Sequence, residues 1–132
     1  MAQETLKLAH EVMDALSRGD FDQLVALCDP EVEWHSFFAE LGEEGMYRGA
    51  EGMRQYVSDL AEAWEFVRAH VDDGVAVGDV AVLVGHIHYR GKESGAEAED
   101  PAGWMLKFRA GKAVRFRAFR NPEQALEAVG QR

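Results

Sequence analysis

Gly85-His-Ile-His-Tyr-Arg-Gly-Lys-Glu-Ser-Gly95 is followed by Trp104-Met-Leu-Lys-Phe-Arg-Ala-Gly-Lys112 and then by Phe119-Arg-Asn-Pro-Glu-Gln-Ala-Leu126. These stretches decide the fold. Residues 101–109 and 112–120 read as strands that meet at Ala110-Gly111, where the glycine supplies the positive φ of a tight hairpin. Asn121, Pro122 and Gln124 then mark a helix start: a capping side chain, a proline at the first helical position and the second half of a capping box. Upstream, 65–77 and 80–90 form two further strands joined near Gly78-Asp79. Four consecutive strands and a capped helix predict one curved sheet around a single pocket.

The N-terminal half is helical. Leu6, Ala9, Val12, Met13 and Leu16 recur at helical spacing and predict a helix over 3–17. Gly19 stops it, and Asp20 caps a short second helix with Phe21, Leu24, Val25 and Cys28 inward, ending before Asp29-Pro30. Residues 31–37 alternate as a strand. Residues 39–48 form a loop with a second short strand around Met46-Tyr47. From Ala50 the helical period returns along Met53, Tyr56, Val57 and Leu60. Helices segregated from a largely antiparallel sheet make this an α+β fold, a cone of strongly curved sheet wrapped around helices with one central pocket. A length of 132 residues suits one domain spanning 1–132.

Composition narrows the partners. Fourteen basic against twenty-four acidic side chains give a formal charge of −10. That excludes nucleic acid, whose affinity comes largely from phosphate neutralisation, and anionic membrane surfaces, which attract polybasic segments. No apolar run approaches the length of a membrane span, and Met-Ala-Gln-Glu-Thr-Leu-Lys has no apolar signal core. The chain reads as cytoplasmic. Cys28 is the only cysteine, which rules out an intrachain disulfide and a four-thiolate metal site.

Gly19-Asp-Phe-Asp22, Tyr47-Arg-Gly49, Tyr89-Arg-Gly-Lys-Glu-Ser-Gly95, Gly111-Lys-Ala-Val114 and Phe119-Arg-Asn-Pro-Glu-Gln-Ala-Leu-Glu-Ala128 occur in an order that covers nearly the whole chain. In these the chain resembles the SnoaL-like branch of the nuclear transport factor two-like superfamily. That superfamily includes ketosteroid isomerases, polyketide cyclases, epoxide hydrolases, dehydratases and proteins that only bind or associate. Shared fold does not transfer activity. The resemblance puts the isomerases' general-base aspartate at His35, their oxyanion-hole tyrosine at Val12 and their protonated acid at Trp104. Only one of the three roles keeps a proton-transfer group. The tyrosine-asparagine and arginine-aspartate set of the epoxide hydrolases has no recognisable counterpart.

His35 is therefore the first catalytic candidate, since an imidazole titrates near neutral pH and serves as acid or base. Asp100 shares strand parity with Trp104, so its carboxylate points toward the same cavity and can pair with His35. Arg120 shares parity with Phe116 and can bind a carboxylate or polarise a carbonyl. Tyr56, on the inward stripe of its helix, can donate to a ligand oxygen. Trp34, Phe37, Phe38, Leu83, Trp104 and Phe116 complete an apolar wall suited to a small, largely apolar molecule. Each of these residue types is equally at home in a small core or on a solvated rim.

His86 and His88 stand two apart, a spacing that metal sites use, but parity turns them away from Leu83 and Ile87 toward the convex face. That face also carries His70, Lys107, Arg115, Arg117 and Phe119 and is expected to form a homodimer needing acidic partners across the axis. The expectation is a pocket without metal or other cofactor. Two functions stay open: a cofactor-independent isomerase, cyclase or hydrolase using His35, and a non-catalytic ligand-binding or association module.

Overall fold

The computed structural model describes residues 2–38 and 46–130. The expected segment 39–48 falls mostly outside these residues; only its end, Met46–Arg48, is described. In chain order the elements are α1 (Ala2–Arg18), α2 (Phe21–Ala26), β1 (Cys28–His35), β2 (Met46–Arg48), α3 (Gly49–Ala63), β3 (Trp64–Val77), β4 (Val80–Gly91), β5 (Glu97–Arg109), β6 (Lys112–Phe119) and α4 (Pro122–Gly130). The strands form one mixed, curved sheet in the order β2-β1-β6-β5-β4-β3. Among the described residues only β1 and β6 run parallel. The sheet does not close: among the described residues β2 and β3 are its two edges.

The α+β cone is as the sequence predicts, with two local corrections. The β5–β6 turn uses positive φ at both Ala110 (53°) and Gly111 (79°), the pairing that matches a right-handed strand twist. β5 begins four residues earlier than expected, at Glu97. β1 begins at Cys28, which the helical period had placed in α2. Tertiary pairing overrides that period: Lys112 Nζ donates to the Ala26 carbonyl at 2.7 Å, and the Ala113 N–H donates to the Leu27 carbonyl at 2.9 Å. Pro30, which has no N–H, sits where the β1–β6 register shifts between Cys28 and Glu33.

The inner face of the sheet is the core. Trp34, Leu83, Ile87, Trp104, Leu106 and Phe116 are all essentially inaccessible, and they pack with Val12 and Met13 of α1 and Met53 of α3. Trp34 stacks on Phe116 with ring centroids 3.7 Å apart. α1 also guards the exposed edge of β3. The Ser17 hydroxyl accepts from the Ala69 N–H at 2.9 Å and donates to the Ala69 carbonyl, and Thr5 Oγ1 donates to the Gly78 carbonyl at 2.7 Å. An edge strand whose backbone groups are occupied this way cannot recruit another chain at those positions.

α4 starts as its sequence dictates, the Asn121 side chain accepting from the Glu123 N–H at 2.9 Å. It crosses the outer face, because a Cβ on Gly103 would stand 2.7 Å from that of Ala125. Ala125 is buried there; Leu126, expected to pack, is 44% exposed.

Gly85 answers a similar constraint. β3 is irregular between Val71 and Asp73, opposite Gly85, and a Cβ at Gly85 would run into the His70 carbonyl. Gly85→Ala is expected to lower stability by about 1–3 kcal/mol, the usual cost of overpacking, read from urea unfolding midpoints. An unchanged midpoint would show that the irregularity is not needed.

Candidate functional site

Strand alternation sorts the expected site residues into two sets. Trp34 faces inward, so His35, the next residue, faces outward. Its register partners are Met46 and Arg117. Its Nε2 lies 4.0 Å from Glu33 and makes no hydrogen bond although the atom is buried. Burial, then the guanidinium groups of Arg117 and Arg115, hold its pKa below the ordinary imidazole value, with Glu33 opposing them. Asp100 lies on the inner side, where the Tyr89 hydroxyl donates to it at 2.5 Å. His35 and Asp100 therefore stand on opposite faces of the sheet, and the expected acid/base pair does not form. One position along a strand exchanges faces, and His35 follows the inward Trp34.

Trp34, Leu83, Trp104 and Phe116 do face inward, but as packed core. Their contacts fill the centre of the cone where a hollow was expected. Phe38 and Tyr56 border open space, which Phe37 and Arg120, packed on each other, do not line. There a cavity of about 900 Å³ is walled among the described residues by the end of β1, by β2, by α3 and by the start of β3. Four rings line it: Phe38, Tyr47, Tyr56 and Trp64. Phe38 stacks on Trp64 with centroids 4.7 Å apart, and Tyr47 meets Tyr56 edge-on at 5.2 Å.

The polar centre of this cavity is Asp59. Its carboxylate accepts from the Tyr47 hydroxyl at 2.6 Å and from Gln55 Nε2 at 2.7 Å. Gln55 and Asp59 are one helical turn apart on α3, and Tyr47 reaches them from β2. Glu62 and Glu93 also line the cavity; its one lining cation among the described residues, Arg48, is ion-paired with Glu33 at 3.5 Å. Tyr56 is buried, which pushes its phenol above the ordinary range. The Trp34 indole N–H points into the same region and meets no acceptor at hydrogen-bonding geometry, although the Tyr56 phenol is its electrostatic partner.

A second polar group lies across the aromatic wall. Tyr89 contacts both Phe38 (5.3 Å) and Trp64 (5.1 Å) edge-on. Donation to Asp100, reinforced by burial, raises the Tyr89 pKa, and the nearby charge of Arg120 lowers it. The Arg120 guanidinium covers the Phe37 ring at 4.7 Å. Sequence reasoning missed Tyr47, Gln55, Asp59, Trp64 and Tyr89. Tyr89 was within reach, because it shares parity with Leu83 and Ile87. Asp59 was not: on the helical wheel it looks like one more solvated acid. Cys28 takes no part; burial raises its thiol pKa to about 12, which removes it as a nucleophile.

Residues 9–116 match the model of the SnoaL-like domain. The chain belongs to this family. Among solved structures, the SnoaL-like chain is similar to a nuclear transport factor two-like protein of unknown function from Burkholderia pseudomallei, with 20% identity, 94% of this chain and 95% of that one covered, and a TM-score of 0.77. It is similar to TerC co-crystallised with polyporic acid, with 17% identity, 96% and 98% covered, and a TM-score of 0.77. It is also similar to a Catenulispora acidiphila protein with a ketosteroid isomerase-like fold in complex with trimethylamine, with 13% identity, 93% and 92% covered, and a TM-score of 0.75. Identities this low speak for the fold alone. No curated protein matches the chain.

His35 gives this geometry a measurable signature. Its folded pKa lies below the unfolded value of 6.5, so the unfolded chain takes up the proton first as pH falls. The folded state loses stability from about pH 6.5 downward until the folded pKa is passed, after which this contribution levels off. His35→Gln should flatten that part of the profile. Urea midpoints between about pH 7.5 and about pH 5.5, about one unit to either side of the unperturbed histidine pKa, check this; identical profiles for the two proteins would refute it.

Proposed function

We propose that this SnoaL-like protein binds a small, largely apolar organic cation, an amine in its ammonium form, in the cavity between α3, β2 and the start of β3. The observation that carries the reading is that four rings line the same cavity as the hydrogen-bonded carboxylate of Asp59. Aromatic faces attract cations, and desolvation strengthens the attraction. An anion would meet Asp59, Glu62 and Glu93 on entry as well as a chain of net charge −10. A cavity of about 900 Å³ leaves room for an apolar body behind the ammonium group. The trimethylamine bound by the similar C. acidiphila protein is of the same ligand class and supports the reading.

A second reading, acid/base catalysis, is favoured by Asp100. Its short contact with Tyr89 beside Arg120 supplies a proton-transfer group and a carbonyl-polarising cation at the open end of the cone. This is the role that the sequence had divided between His35 and Asp100. A cofactor-independent isomerase, cyclase or hydrolase would use such a set.

Calorimetry with trimethylammonium, tert-butanol and pivalate tests the role of charge, because the three share a branched trimethyl body and carry +1, 0 and −1. Trimethylammonium should bind tightest, and Asp59→Asn or Trp64→Leu should weaken it by roughly tenfold, the equivalent of about 1.4 kcal/mol. Equal or tighter binding of tert-butanol or pivalate overturns the proposal. Asp100→Asn should leave this affinity unchanged. If catalysis also occurs, that variant should lower turnover roughly 10²–10⁴-fold, and a substrate turned over at the wild-type rate removes the second reading.

We also propose that two copies associate through the part of the outer face that α4 leaves open. Asp72, Glu97 and Glu99 already stand beside His86 and His88, so the partner acids that the sequence calls for would face Lys107, Arg115 and Arg117. Sedimentation at micromolar concentration should show a dimer; a monomer there rules it out.

A further inference from the structure

Outside the cavity, the outer face gathers imidazole and carboxylate groups in a way that ion pairing alone does not require. His70 of β3 stands directly across from His86 of β4, and their rings lie 5.0 Å apart at 28°. Glu99 of β5 reaches the same point from the other side, 3.3 Å from His86 Nε2. One donor atom from each of the three residues lies within 4.8 Å of the other two. The opposite nitrogen of His86, Nδ1, lies 3.5 Å from Asp72.

We propose that His70, His86 and Glu99 form a binding site for a divalent cation of the zinc class, with Asp72 as the positioning residue for His86. Two imidazoles and one carboxylate match the borderline donor preference of zinc and its neighbours, whereas magnesium and calcium select oxygen. Tetrahedral bonds of about 2.0–2.1 Å place donors about 3.4 Å apart, so the three groups must close inward. They are free to do so, since His70 is exposed and Glu99 sits on the solvent side, and rotation of their side chains suffices. Asp72 supplies the feature that a plain charged surface lacks. A carboxylate 3.5 Å from Nδ1 is placed to accept its proton once the site closes, which would turn the Nε2 lone pair toward Glu99 and His70, the arrangement by which metal-ligating histidines are oriented. His88 is left out of the set because its Nε2 is engaged with Glu97 at 2.9 Å. Three protein ligands leave a fourth position for water or an incoming group.

The three ligands come from three adjacent strands, which explains why the His86/His88 spacing was misleading. The spacing that matters runs across the sheet, His70 to His86 to Glu99, and is invisible along the chain.

Titration of the full chain with Co²⁺, followed by its visible d–d absorption and by displacement with Zn²⁺, tests the proposal. The wild type should bind one equivalent with the strong absorption of a tetrahedral site. Asp72→Asn should weaken binding roughly 10–100-fold at unchanged stoichiometry, and loss of a ligand in His70→Ala or His86→Ala should cost more. His10→Ala on α1 and His88→Ala should bind as the wild type does, and circular dichroism verifies that each variant is folded. A wild type that takes up no Co²⁺ overturns the proposal, as does an His86→Ala variant that binds like the wild type.

Discussion

Trp34 lies flat on Phe116, where the parallel pair of strands β1 and β6 joins the N-terminal and C-terminal halves of the chain. Everything else is arranged around that stack. Two large rings at van der Waals contact, with Leu83, Trp104 and Leu106 beside them, leave no room in the middle of the cone. Free volume is left instead between α3, the short β2 and the start of β3. The cavity's location is thus a packing result. A dense core at the narrow end and an aromatic rim at the open end come from one distribution of ring volume.

The two faces of the sheet handle charge differently. Inside, two carboxylates are matched by donors: Asp59 is held by Tyr47 and Gln55, and Asp100 by Tyr89. A carboxylate in an apolar wall must be hydrogen-bonded to be tolerated, and the donors that satisfy it also fix its direction. Outside, histidines and arginines alternate with acids across neighbouring strands, and screening by solvent keeps each single pair weak. Groups there matter for what several of them hold together.

α1 ties the two descriptions together. Its apolar stripe fills the cone, while Ser17 occupies backbone groups of β3 and Thr5 the Gly78 carbonyl just beyond it. One helix thus buries the core and closes an edge. α4 narrows the outer face from the opposite side, seated on the missing side chain of Gly103.

Periodicity along the chain was enough for the helices, the β5–β6 turn, the terminal cap and the direction of nearly every strand side chain, because these depend on neighbours one to four positions away. It also placed Asp100 inward and His86 and His88 outward. It misjudged Cys28, whose helical spacing gave way to a ladder with Ala113 eighty-five positions later. It could not tell wall from core, since Trp34 or Phe116 beside a cavity and in a packed centre read alike. Position 35 was assigned by analogy, and a strand reverses its faces with each residue. Asp59, Tyr47 and Gln55, like His70, His86 and Glu99, became sets only when separate elements met. The sequence by itself determined which residues can turn inward along each element; tertiary structure alone decided which of them share a space, because that depends on register and crossing between segments far apart in the chain.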